Sequence, residues 1–149
     1  MGGEVWHCGL MVALVYEKYG QVDNALEWAE RISTLDDPVQ GGNLSEVSRT
    51  RAKCAQGRCL ALKHRYAEAK EMLICAAQQY AALGLYLGEV LALRDLYVCV
   101  LQKDGEDCSD EGISLLKPAI DRLLGPNPAP DDLEVLAKCL GQEVAASVL

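Results

Sequence analysis

The feature that most constrains this chain is the spacing of its apolar residues. In segment after segment they recur three and four positions apart, and no stretch alternates cleanly over five or more residues. Such a chain must bury helical stripes against one another. A first segment runs from about Glu4 to Tyr19 and stops at Gly20. A second runs from near Asp23 to about Thr34, before a loop containing Asp36, Asp37, Pro38, Gly41 and Gly42. Asn43 and Glu46, three apart, have the form of a capping box and open a third segment that ends near His64. A fourth covers Tyr66 to Leu83, a fifth Tyr86 to Lys103, and a sixth Ser109 to Leu124, with Pro118 expected to kink it or delay its start. Pro126, Pro128 and Pro130 stiffen a connector, after which Asp131 is expected to cap a seventh helix. The expected fold is all-α, with about seven helices.

Within this pattern lies a repeat. Ala13, Tyr16, Gly20, Val22 and Ala25 are matched, each 44 residues on, by Gly57, Leu60, His64, Tyr66 and Ala69. A small residue where two helices cross lets their backbones approach, and larger neighbours fill the gaps around it. A third copy, Tyr97, Val100, Gly105, Gly112 and Ala119, fits only with an insertion near Asp107.

These residues resemble the tetratricopeptide (TPR) family over segments one to six. From Gly84 through Leu115, Leu116, Lys117 and Pro118 to Asp132 and Leu133, the C-terminal half also resembles the TPR-like last repeats of bacterial-type ATPase and cyclase regulators. The period exceeds the ~34 residues of the standard repeat, the excess lying in the Leu35–Leu44 loop. Lys53 and Gln56 depart from the pattern, standing where the family prefers apolar residues. The resemblance implies antiparallel helix pairs stacked as a short α-solenoid in one domain, 1–149. Repeat 1 would span about 4–34, repeat 2 about 45–83, repeat 3 about 86–124 and a terminal helix about 131–148. A non-repetitive helical bundle is the competing architecture.

Charge and cysteine content narrow the function classes. A net charge of −8 argues against nonspecific binding to nucleic acid or anionic membrane. No apolar run approaches the ~18 residues that span a bilayer. The start lacks a basic n-region, and Trp6 stands where a myristoylation signal at Gly2 would want Ser or Thr. The cysteines, an odd 7 in number, fall mostly within helical segments, which suits reduced core thiols. A reducing, cytoplasmic setting is expected.

Signatures of catalysis are missing from the sequence. It contains neither a phosphate-binding GxxxxGK[ST] or GxGxxG nor a GxSxG elbow. His7 and Cys8 are adjacent, and neighbours on a helix point about 100° apart rather than at each other. Cys54 and Cys59 lack the CxxC spacing of a zinc pair. Counted from Asp107, an EF-hand-like series Asp107, Ser109, Glu111 and Gly112 places Pro118 where a bidentate Glu is needed. No enzyme activity, no metal and no cofactor are expected.

One electrostatic feature stands out. Arg49, Arg51, Lys53, Arg58, Lys63, Arg65 and Lys70 account for half of the 14 Lys and Arg, and Arg51, Arg58 and Arg65 are seven apart. The family resemblance implies that the first helix of each pair lines a groove. It carries His7, Leu10, Met11 and Leu14 from the first copy, Arg51, Cys54, Ala55 and Arg58 from the second, and Arg94 with Asp95 from the third. Arginine there can hold a carboxylate with two hydrogen bonds. The other reading makes the cluster a solvated outer face paired with Glu46, Glu68 and Glu71.

The expected function is a non-enzymatic protein–protein interaction module or scaffold. It would bind an extended or acidic peptide in the groove through His7, Leu10, Leu14, Arg51, Arg58 and Arg94. A regulatory or sensory segment of a larger ATPase or cyclase-type regulator is one alternative, and a small-molecule-binding helical bundle another. Apolar residues crowd both terminal helices (Trp6, Leu10, Met11, Val12, Leu14 and Val15; Val144, Ala145, Ala146, Val148 and Leu149). Association as a homodimer, or membership of a longer chain, is therefore also expected. Because none of the metal patterns closes, EDTA should leave the helical circular dichroism spectrum and the melting temperature unchanged. A fall of several degrees with chelator would show a structural metal.

Overall fold

The computed structural model describes residues 2–34, 43–101 and 109–149, with the side chains of 10–34, 46–101 and 110–149. Eight helices are present among these: α1 (Gly2–Lys18), α2 (Val22–Thr34), α3 (Asn43–Leu62), α4 (Tyr66–Ala82), α5 (Tyr86–Leu96), α6 (Ser109–Leu124), α7 (Pro130–Leu140) and α8 (Gln142–Val148). A π-helical turn over Tyr97–Leu101 extends α5. No strand occurs among the described residues. Helices α1 to α6 each pack on their neighbours in chain order, α3 additionally touches α1 and α5, and α7 packs on α8 and touches α5. Three helix pairs, α1–α2, α3–α4 and α5–α6, thus stack with their first helices side by side, and α7–α8 follows.

The first two pairs close with the same turn, which also links the second pair to the third. The N–H of Gln21 donates to the carbonyl of Tyr16, that of Arg65 to Leu60, and that of Leu85 to Tyr80, each at 2.9 Å. The residue before each donor sits in the left-handed region: Gly20 at φ 76°, His64 at 60° and Gly84 at 75°. Glycine adopts that conformation cheaply, while histidine is one of the few other residues that tolerate it. His64 therefore occupies the place that Gly20 holds 44 residues earlier. Its Nδ1 lies 2.8 Å from the Tyr66 hydroxyl.

Small residues sit at the crossings. Ala13, Ala29 and Ala55 are buried together, as are Ala25 and Ala69 among the larger apolar groups of the main core. A Cβ on Gly57 would lie 2.6 Å from Leu73 Cγ, and one on Gly112 only 2.0 Å from Tyr97 Cδ2. Gly112 is the fourth residue of α6, as Ala25 is of α2 and Ala69 of α4. In the third pair it therefore takes the crossing position that the sequence repeat assigned to Ala119, which is buried one helical stretch later.

Three sequence expectations change. The terminal helix of 131–148 is broken at Gly141, whose φ of 88° ends α7 and makes eight helices rather than seven. The α7 N-cap is Ala129 rather than Asp131, because Pro130 already supplies the pre-set φ of a first helical residue. Helix α6 runs through Pro118 to Leu124 rather than starting late. The Asn43 cap and the acidic 104–108 stretch lie outside the described residues.

This packing predicts where added volume is harmful. Gly112→Ala, Ala25→Leu and Ala69→Leu should each lower stability by about 1–3 kcal/mol in urea melts, since overpacking forces a pair apart. Ala146→Leu, on an exposed face of α8, should change it little. Equal effects at all four positions would contradict the crossing assignment.

Candidate functional site

Helices α1, α3 and α5 present one face to a common cleft, because each is the first helix of its pair. Leu10 and Leu14 reach it from α1, Arg51 and Arg58 from α3, and Arg94 from α5, around a cavity of about 220 Å³. Five of the six side chains expected from the sequence are thus neighbours, although up to 84 residues separate them. The side chain of His7 lies outside the described residues. Met11 points away from the cleft and is exposed, and Ala55 is packed between α1 and α2.

The arginines differ in what holds them. Arg58 donates from Nε and Nη2 to the two carboxylate oxygens of Glu17, at 2.7 and 2.9 Å, and from Nη1 to Asp95 Oδ2 at 3.1 Å. Burial alone would disfavour this cation. The hydrogen bond and charge of Glu17, with the charge of Asp95, more than offset it, so the guanidinium is held protonated even more firmly than usual. Arg94 donates from Nη2 to Asp95 Oδ1 at 3.0 Å and from Nη1 to the carbonyl of Cys139 at 2.6 Å. That carbonyl belongs to the last turn of α7, where a cation also meets the negative end of the helix dipole. One charged chain therefore runs from α1 through α3 and α5 to α7. Arg51 is exposed and has no ion-pair partner among the described residues.

Three guanidiniums, Arg51, Arg58 and Arg94, face two carboxylates, Glu17 and Asp95. Among the described residues the cleft consequently carries a surplus of one positive charge in a chain of −8. The remaining wall is apolar or neutral, with Leu91 and Ala92 from α5 and Tyr80 from α4. Burial pushes the Cys54 thiol up to about 12 and raises the Tyr80 phenol above its ordinary value. Both stay protonated at neutral pH, which makes Cys54 a poor nucleophile. The geometry is suited to holding an anionic group beside an apolar one.

The sequence left three members of this site unmarked. Glu17 follows Leu10 by seven residues on the same stripe, and Leu91 precedes Arg94 by the three residues that separate Arg51 from Cys54. Both could have been found by extending the helical spacing. Tyr80 comes from a second helix and carries no such signal.

Lys63, Arg65 and Lys70 of the basic cluster behave as a solvated outer surface. Lys63 pairs with Asp23, Arg65 with Glu68 and Lys70 with Glu111. The seven-residue stripe stops at Arg58 because α3 ends at Leu62. Lys53 and Gln56, unusual for the resembled pattern, are half-buried: Lys53 Nζ lies 3.9 Å from Cys75 Sγ, and Gln56 Oε1 accepts a 2.9 Å bond from Ser33. No disulfide links Cys54, Cys59, Cys75, Cys99 and Cys139. Among the described residues no group of three or more His, Cys, Asp or Glu is placed to hold a metal ion, and no helix is long and apolar enough to cross a membrane. No family model, curated protein or solved structure matches the chain.

Removing Arg58 would strand the largely buried Glu17 carboxylate and leave Asp95, only 10 % exposed, with Arg94 alone. Arg58→Ala should therefore cost about 3 kcal/mol in urea unfolding, and Arg58→Glu more. Arg51→Ala should fall within about 0.5 kcal/mol of the parent. Equal stability of the Arg51 and Arg58 variants would contradict this division of roles.

Proposed function

We propose that the chain is a non-enzymatic protein–protein interaction module of TPR-like architecture, which takes an acidic peptide segment in the cleft formed by α1, α3 and α5. The observation that carries this reading is the convergence of Leu10, Leu14, Arg51, Arg58 and Arg94 on one cavity. Arg51 is the recognising cation, because its guanidinium is not committed to an internal carboxylate. Arg58 and Arg94 are positioning residues that fix the helices and leave the cleft net positive. Leu14 and Leu91 receive an apolar side chain of the same segment, with the buried Leu10 behind them, so that charge and shape are read together.

The firmly protonated Cys54 thiol speaks for binding rather than turnover. A cytoplasmic, reducing setting agrees with five unlinked cysteines. The reading as part of a larger ATPase or cyclase-type regulator is compatible with the same cleft, which would then hold a segment of that larger protein. A small-molecule bundle is the weaker reading, since the cavity opens to solvent between helices instead of closing around a ligand.

The test is a fluorescence-polarisation screen of acidic peptides against the whole chain, followed by Arg51→Glu. The reading expects a binder whose affinity falls at least tenfold with Arg51→Glu while the melting temperature holds. Binding that Arg51→Glu leaves intact would remove the cleft from the recognition surface.

A further inference from the structure

A second surface lies on the far side of α5. Leu87, Leu123, Leu124, Val135 and Leu136 line an open cavity of about 380 Å³ where α7 stands against α5 and α6. Val135 is 61 % exposed and Leu87 45 %. The rim is acidic. Asp132 lines this cavity and Asp121 the adjoining one, with Asp131 next in the chain, and none of the three has an ion-pair partner among the described residues. The nearby cations are committed elsewhere, Arg122 to Glu89 and Lys138 to Glu134.

The complementary surface is on α1. Met11 and Val15 are 46 % and 50 % exposed although they lie within a helix. Lys18 continues their stripe, also exposed and without an ion-pair partner among the described residues. At about 100° per residue, Met11, Val15 and Lys18 fall within a sector of roughly 60°. Met11 to Lys18 spans seven residues, as does Asp132 to Cys139 on α7, about 10 Å in each case. Laid antiparallel, α1 would set Lys18 against Asp132, Val15 against Val135 and Met11 near Cys139. Helix dipoles also favour that orientation.

One chain cannot join these two surfaces itself, because α1 packs on α2 and α3 while the cleft belongs to α5, α6 and α7. We propose that the Met11–Val15–Lys18 stripe of one copy docks in the acidic, apolar α5–α6–α7 cleft of a second copy, so that the helix stack continues head to tail between chains. The two faces differ, so the contact is heterologous and builds an open stack, or a ring where the rotation between copies closes. The surface is separate from the α1–α3–α5 cleft, so failure of either proposal leaves the other standing.

The experiment is sedimentation velocity on the 149-residue chain over a wide concentration range, with Val15→Glu and Val135→Glu, both on exposed surface and checked by circular dichroism. The wild-type mass should rise from 16.2 kDa past twice that value as concentration increases. Either variant alone should stay at the mass of one chain. A mixture should level off at twice that mass, since one variant keeps an intact cleft and the other an intact stripe. Lys18→Asp should weaken assembly, and Asp132→Lys in the same chain should restore it. A wild type that stays monomeric, a closed dimer that both variants retain, or a mixture that fails to pair would each overturn the proposal. If a variant loses its helical spectrum, the charge-swap pair decides in its place, and assembly indifferent to both exchanges would equally overturn it.

Discussion

The three-way bond of Arg58 is the interaction on which the rest of the cleft depends. Its guanidinium spends its Nε–Nη2 edge on Glu17 from α1 and its Nη1 on Asp95 from α5. A single side chain on α3 thus ties the first helices of three successive pairs. Side-by-side first helices share limited apolar area, since each already buries its main stripe against its own partner. A directional, charge-assisted contact fixes their spacing where packing alone would leave it loose. Asp95 then passes the linkage to Arg94, and Arg94 to the last turn of α7.

This arrangement divides three arginines that look alike in the sequence. Arg58 and Arg94 are consumed by the architecture, and losing either takes a partner from a carboxylate in a largely dry place. Arg51 stands one helical turn above the buried Cys54, exposed and without an ion-pair partner among the described residues. The cleft gains its positive character from the surplus of one cation over the two internal acids. A chain that is acidic overall therefore offers one locally cationic, apolar-walled recess, which is a condition for discriminating among partners rather than attracting anions everywhere.

Much of the fold was legible because its determinants are local. Helical spacing marked the segments, and the offset of 44 between Gly20 and His64 reappears as two identical left-handed turns. Of the groove positions that the resemblance implied for the first two copies, Leu10, Leu14, Arg51, Cys54 and Arg58 line the cleft, and Met11 and Ala55 do not. What escaped depends on contacts between distant residues or on backbone detail. Glu17 and Asp95 lie 41 and 37 residues from Arg58, and whether an arginine meets an internal acid or open water is decided by a few ångströms. The π-helical turn at Tyr97–Leu101 has no sequence signature, and the third copy of the repeat therefore slipped from Gly112 to Ala119. Gly141 was read as one residue within a helix, whereas its positive φ breaks α7 from α8.

The claim that Arg58 couples α1 to α3 can be measured directly by a double-mutant cycle. Glu17→Gln, Arg58→Gln and the double variant would be unfolded in urea beside the parent chain. The account predicts a coupling energy of at least about 1 kcal/mol, because each single change strands the partner that the other removes. Stability losses that add to within about 0.3 kcal/mol would mean that the pair acts independently, and would contradict the account.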